Sequence, residues 1–245
     1  MSENFTLDSI ILPDIKIFQP KNGFRFTTDS ILLAGFVKDT TYKKVIEIGA
    51  GTGIISVLLA KFFKIEKIYA VEIQKESYEL LCKTIEVNNL QEIIIPVNID
   101  VKEFKPRENV DMIISNPPYR KGDTGYTSNS EQKKLARFTF SLTIEDIFKF
   151  SKSYLKTGGY LYLSFIADRL SDLFQYTRSY SIEPKRLKIL YPEINKKGRL
   201  AFMEYRKGAG AEMTIEPPLF HKINGVETEQ FLQHIDPQWW LNKRR

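Results

Sequence analysis

Asn116-Pro117-Pro118-Tyr119 is the string with the most specific chemistry in this sequence. An exocyclic amine conjugated to a ring is a poor nucleophile because its lone pair is delocalised. Two acceptors placed on its hydrogens favour the pyramidal form, in which the lone pair is released. The Asn116 side-chain carbonyl can supply one acceptor and the Pro117 backbone carbonyl the other, while the prolines stiffen the turn. Tyr119 is suited to stacking on a flat substrate. No strong base is required, because the ammonium formed on such an amine is acidic and loses its proton to water. His221 and His234 are therefore expected to be structural or surface residues. Alone, the four residues would make an ordinary proline turn, and their meaning depends on what stands upstream.

Upstream, Glu47-Ile48-Gly49-Ala50-Gly51-Thr52-Gly53 closes a β-branched run and opens a helical pattern. Glycines there allow a sharp turn and close approach of the backbone to a ligand. A dinucleotide fingerprint needs its third glycine where Ile54 stands, so an NAD-linked oxidoreductase is disfavoured. Glu72 lies about 20 residues beyond the loop, at the end of the next strand, where a carboxylate can accept from both ribose hydroxyls of a nucleoside cofactor. Asp100 follows the third strand, and a turn cap is one role open to it.

The elements that must position these groups alternate along the chain. Strands are expected at 44–48, 67–73, 93–97, 110–115, 160–166, 186–191 and 199–205, with 192–198 as the break between the last two. Helical patterns run through Ile54 to Phe62, Ser77 to Val87, Ile144 to Leu155 (stopping at Gly158-Gly159) and from Leu170 onward. Strands alternating with helices imply an α/β fold, a mostly parallel seven-stranded sheet with helices on both faces. Residues 44–207 form its core, 1–43 a segment covering substrate or cofactor, and 208–245 a tail packed on that core, all in one domain of 1–245. Trp239 and Trp240 are expected to dock the tail, with base stacking as the alternative. The segment 120–134 has the composition of a long flexible loop.

Bulk composition narrows the class. Hydrophobic residues make up 42% and charged residues 27% of the 245, a globular profile. Cys82 is the single cysteine, which excludes an intrachain disulfide or thiolate cluster, and no metal is expected. No segment approaches the roughly 20 apolar residues of a membrane span, so a cytoplasmic protein is expected. Lys and Arg exceed Asp and Glu by 36 to 30, which favours a polyanionic partner.

The Gly-x-Gly-x-Gly loop with its preceding acid resembles motif I of class I methyltransferases, which implies their Rossmann-like fold and S-adenosylmethionine as cofactor. Motif I followed by Asn-Pro-Pro-Tyr is similar to methyltransferases of adenine N6, cytosine N4 and the glutamine amide of release factors. Residues 23–34, Gly-Phe-Arg-Phe-Thr-Thr-Asp-Ser-Ile-Leu-Leu-Ala, resemble the opening of bacterial tRNA (adenine-N6)-methyltransferases acting beside the anticodon of a valine tRNA. Leu135-Ala136-Arg137, Gly198-Arg199, Arg206-Lys207-Gly208 and Glu216-Pro217-Pro218-Leu219 continue that similarity. Where many members carry His-Glu after the Ala-Arg pair, Phe138-Thr139 stand here.

The resemblance implies catalytic roles for Asn116, Pro117 and Tyr119, and cofactor contacts for Thr28, Asp29, Glu47, Gly49, Gly51, Gly53, Glu72, Asp100 and Asn116. Glu47 would face the methionine ammonium and Asp100 the adenine. The acids suit a cationic sulfonium better than a pyrophosphate. Substrate contacts are expected from Tyr119 and from a phosphate track of Arg25, Arg120, Lys121, Lys133, Lys134 and Arg137 around a tRNA anticodon stem-loop, the chain acting as a monomer. Release-factor enzymes carry a helical domain before motif I and DNA methyltransferases a distinct target-recognition domain, and neither is expected in this sequence, where motif I opens at Glu47. A glutamine methyltransferase of a release factor or ribosomal protein and a catalytically silent RNA-binding scaffold stand as the alternatives.

Overall fold

A computed structural model describes residues 4–10, 12–22, 25–118 and 142–242. In chain order the elements are β1 (Phe5–Ile10), β2 (Leu12–Pro20), α1 (Thr28–Phe36), β3 (Tyr42–Ile48), α2 (Ile54–Phe62), β4 (Ile65–Val71), α3 (Lys75–Val87), β5 (Ile94–Val97) and β6 (Val110–Ser115). Then come α4 (Ile144–Tyr154), β7 (Leu155–Ile166), α5 (Leu170–Tyr180), β8 (Ile182–Glu193) and β9 (Leu200–Lys207). The chain closes with β10 (Thr214–Ile215), β11 (Leu219–Ile223), β12 (Val226–Glu227), α6 (Glu229–Ile235) and α7 (Pro237–Asn242).

The seven strands expected from the sequence are β3 to β9, and the order across the sheet is β12-β11-β8-β9-β7-β6-β3-β4-β5, with β10 also paired to β8. Neighbours in the β7-β6-β3-β4-β5 half are parallel, and β9 runs antiparallel to both β7 and β8. The chain winds outward from β3 through β4 to β5, then returns to β6 on the other side of β3. That reversal opens a crevice at the carboxyl ends of β3, β4 and β6, where doubly wound sheets bind ligands.

Side chains alternate across each strand and so feed two cores. Val45, Met112, Ile114, Tyr162 and Phe202 face α1, α2 and α3, while Ile46, Ile113, Leu161, Leu163 and Met203 face α4 and α5. In α1, residues Asp29 to Ala34 are all buried, Ile31, Leu32 and Leu33 each contributing about 1.5–3 kcal/mol. The far end of α1 is tied down by Arg186 of β8, which stacks 4.1 Å from the Phe36 ring centroid and donates to the Phe36 carbonyl. Arg186 also pairs with Glu204 of β9 at 3.0 Å and with Glu216, ahead of β11, at 3.2 Å.

Several boundaries differ from the sequence expectation. The helix α4 ends at Tyr154 rather than at the glycine pair, and β7 begins at once. The register jumps from Val110 opposite Leu155 to Met112 opposite Tyr160, so the intervening residues loop out, with Gly158 at φ 77° supplying the bend. Pro192 does not stop β8, because the parallel ladder to β11 pairs Tyr191 and Glu193 on either side of it. Beyond Gly208 the chain adds β10, β11 and β12 to the sheet, which raises it to ten strands. Its last helix brings Trp240 against Gly35, where a Cβ would meet the indole at 2.6 Å. The Trp240 ring also meets Phe62 of α2 edge-on at 6.0 Å, so this tryptophan docks the tail, while its Nε1 donates to the His234 carbonyl at 2.9 Å within the tail.

The hairpin β1–β2 was not anticipated within residues 1–43. It packs on α3: the Phe18 amide donates to Thr84 Oγ1 at 3.1 Å, and Asn88 both accepts from the Lys16 amide and donates to its carbonyl. Helix side chains thus satisfy β2 backbone groups that a neighbouring strand would otherwise pair.

Candidate active site

Gly49, Gly51 and Gly53 all have positive φ, at 72°, 57° and 93°, which explains why the loop needs glycine. The Gly49 and Ala50 amides both donate to the Val71 carbonyl, so the loop is strapped to the end of β4. A Cβ on Gly53 would stand 2.5 Å from Leu81 of α3, which makes this glycine a packing requirement. At Gly49 and Gly51 no atom of the described residues lies within 4 Å of the Cβ position. The cradle is therefore open at those two glycines and closed behind the third.

Glu72 is 4% exposed and reaches back to the loop. One carboxylate oxygen accepts from the Gly51 amide at 2.8 Å and the other from the Gln74 amide at 2.7 Å. Burial raises its pKa above the usual carboxylate value, against the lowering effect of these amides. Glu47, on the α2 face of β3, is 1% exposed and accepts from both the amide and the hydroxyl of Ser56. Burial chiefly, with the nearby Glu72 charge adding to it, pushes Glu47 up to about 8. Two acids whose negative charge is poorly solvated mark a place where a cation is favoured. Asp100 caps a turn, accepting from the Lys102 amide at 2.9 Å with the Lys102 ammonium at 3.2 Å.

Asn116 leaves β6 on the face shared with Ile114, towards α1. Its Nδ2 donates to Ser30 Oγ of α1 at 2.9 Å, and its Oδ1 accepts from Ser164 Oγ of β7 at 2.5 Å. Pro117 is buried and Pro118 exposed. The Ser115 hydroxyl donates to the Ile48 carbonyl at 2.8 Å, joining the end of β6 to the end of β3 beneath the glycine loop. Strand adjacency thus brings Glu47, the three glycines, Glu72 and Asn116 to one edge.

Asp29, expected among the cofactor contacts, is 9% exposed and pairs with Arg199 at 2.5 Å, which ties the first turn of α1 to the start of β9. Thr28 opens α1 with its side chain exposed. Arg25, expected in the phosphate track, is engaged with Asp8 at 2.5 Å, Thr6 and the Pro20 carbonyl in the hairpin. Tyr119, Arg120, Lys121, Lys133, Lys134 and Arg137 lie outside the described residues. His221 pairs with Glu227, and His234 bonds the Gln230 carbonyl, both in the C-terminal segment. Ser30, Ser164 and Arg199 did not figure among the predicted site residues. The available signal was weak: Ser164 is a lone small polar residue in the apolar run Tyr160–Ile166.

A cavity of about 430 Å³ lined by Cys82, Ile85, Glu86, Gln91, Ile94, Ile95 and Pro96 lies between α3 and β5 and shares no residue with this edge. Among the described residues, no helix is long and apolar enough to cross a membrane.

A family model for the TRM5/TYW2 methyltransferase domain matches residues 31–124, from α1 through the Asn-Pro-Pro-Tyr string. The chain is 33% identical over 147 residues to a tRNA1(Val) (adenine(37)-N6)-methyltransferase of Flavobacterium johnsoniae, covering 58% of this chain and 61% of that relative. The same-named protein of Dyadobacter fermentans is 25% identical over 225 residues, covering 91% and 93% of the two chains. Among solved structures, a predicted O-methyltransferase from Agrobacterium tumefaciens superposes with a TM-score of 0.66 at 20% identity, over 85% of this chain and 95% of that one. The glycine loop, the acid-ended β4 and the Asn-Pro-Pro string thus sit in a chain that has the class I methyltransferase fold and resembles the bacterial tRNA1(Val) (adenine(37)-N6)-methyltransferases.

Proposed function

We propose that this chain transfers a methyl group from S-adenosylmethionine to the exocyclic N6 of an adenosine in tRNA, next to the anticodon, as a cytoplasmic monomer. The observation that carries this is Asn116, held at the carboxyl end of β6 beside the glycine loop, in the strand-end position where its carbonyl can receive an amine. The names of the relatives from Flavobacterium and Dyadobacter support adenine N6 of tRNA over the other amine substrates.

The site fits the cofactor. Gly49 and Gly51 leave open the volume that a side chain would fill, and Glu72 stands at the strand end where ribose hydroxyls need an acceptor. Glu47 and Glu72, buried and without a positive partner among the described residues, suit a ligand carrying an ammonium and a sulfonium. When bound, the cofactor supplies an electrophilic methyl group.

The chain's own residues would do the rest. The Asn116 carbonyl would accept from one hydrogen of the adenine amine and the Pro117 carbonyl from the other, so that the amine nitrogen recovers its lone pair as the nucleophile, the methyl it receives being one whose bond to the sulfonium breaks to leave a neutral thioether. A carbonyl oxygen carries two lone pairs, so accepting from Ser164 and from a substrate amine are not exclusive. The proton released from the alkylated nitrogen passes to water. Tyr119 stacks on the base, and Arg120, Lys121, Lys133, Lys134 and Arg137 hold phosphates of the anticodon stem-loop.

The test is incubation with labelled S-adenosylmethionine and bulk tRNA from cells lacking the protein, with nucleoside mass spectrometry and a parallel reaction on release factor. N6-methyladenosine in tRNA is the expected product. Label on the release factor alone would move the substrate to glutamine, and label on neither would leave a silent RNA-binding scaffold.

A further inference from the structure

Ser164 is fully buried in a strand whose neighbours Leu161, Tyr162, Leu163 and Phe165 are all core residues. A hydroxyl in that setting is costly unless hydrogen-bonded. It donates to Asn116 Oδ1 at 2.5 Å across a sequence separation of 48, while Ser30, 6% exposed on α1, accepts from Asn116 Nδ2 at 2.9 Å across a separation of 86. The terminal torsion of an asparagine is broad and roughly two-fold, so nothing intrinsic to Asn116 fixes the plane of its amide. Two bonds at opposite ends of that amide, from two different elements, do fix it. Ser30 is itself immobilised, because the Asp29–Arg199 pair holds the first turn of α1 and Arg186 holds its last.

We propose that Ser30 and Ser164 are positioning residues for methyl transfer, setting the plane of the Asn116 amide so that its oxygen meets the amine of the target base. This rests on the function proposed above. Neither serine touches substrate in this scheme, and each acts through Asn116. A sub-ångström shift of an acceptor is felt in the rate, because the lone pair of the amine is released only while both of its hydrogens are engaged.

The test uses the full chain, labelled S-adenosylmethionine and unmodified tRNA, comparing single-turnover methyl transfer with equilibrium cofactor binding and melting temperature. Ser164→Ala is expected to slow transfer by about tenfold to a hundredfold, with Ser30→Ala somewhat milder, with cofactor affinity unchanged and with the chain still folded at the assay temperature after only a modest fall in melting temperature. Because both act through one amide, the double variant should lose less than the product of the single losses. Full-rate transfer by both single variants overturns the positioning role, as does a multiplicative loss in the double variant or a rate loss matched by an equal loss of cofactor affinity. A variant that fails to fold is replaced in this comparison by the other serine. A wild-type chain that methylates no tRNA overturns the function and the positioning role together, whereas an active wild type with fully active serine variants overturns the positioning role alone.

Discussion

The two halves of the candidate site are built on different scales. The cofactor half is local: Ser56 meets Glu47 across a separation of 9, and Gly51 meets Glu72 across 21. The Asn116 half is assembled from afar, with separations of 48 to Ser164, 86 to Ser30, and 170 for the Asp29–Arg199 pair that holds Ser30 in place. In the first half, backbone conformation does most of the positioning, and glycine at positive φ is its requirement. In the second, the string Asn116-Pro117-Pro118 brings the acceptors, but the orientation of the Asn116 amide comes from hydroxyls on a helix and a strand that the string does not contain. A local half is legible as a spacing. An assembled half needs the fold.

Substitutions can separate the halves. The largest effect is expected from Asn116→Ala, which should lower turnover by about a hundredfold or more while cofactor affinity, read by calorimetry, stays as in the wild type. Loss of affinity with unchanged turnover would move Asn116 into the cofactor half. Glu72→Ala should do the reverse. It removes the acceptor of the Gly51 and Gln74 amides together with the proposed ribose contact, and should weaken cofactor binding by about tenfold to a hundredfold, with the rate at saturating cofactor less affected. Unchanged affinity would remove the ribose role.

The smallest effect concerns Glu47. Its value in the folded chain, about 8, lies above the ordinary 4.5, so the protonated form is the one the fold accommodates. The stability this contributes is complete below about 4.5 and is lost as the pH climbs towards 8, because the unfolded chain releases that proton more readily. Glu47→Gln keeps an uncharged side chain at every pH. Its melting temperature should therefore rise relative to that of the ligand-free wild type by several degrees across that window, and a pH-independent difference would show that Glu47 is ionised in the folded chain.

The order of strands and helices from β3 to β9 was legible because buried parallel strands read as β-branched runs and their helices as 3.6-residue patterns. The boundary at Gly158-Gly159 misled, since a glycine pair signals a bend without saying whether a helix ends there or a strand loops out, and here it is the strand. The extra strands β10 to β12 were obscured by Pro217-Pro218 and by the shortness of β10 and β12, two residues each, of which β10 leans on β8 and β12 on β11. The ion pair between Arg25 and Asp8 of β1 was not legible in the sequence, since it joins residues 17 apart through the fold of the hairpin.

By itself, the sequence carried the pieces that the proposed chemistry calls for: a glycine loop for close approach, acids at the strand ends for a cationic nucleoside cofactor, and an Asn-Pro-Pro string for an amine. Those depend on residue type and short spacing, which a chain carries before it folds. Only the tertiary structure decided which hydroxyls orient Asn116, that Asp29 serves Arg199, and that Trp240 closes against Gly35, because each joins residues remote in sequence through packing that no local pattern encodes.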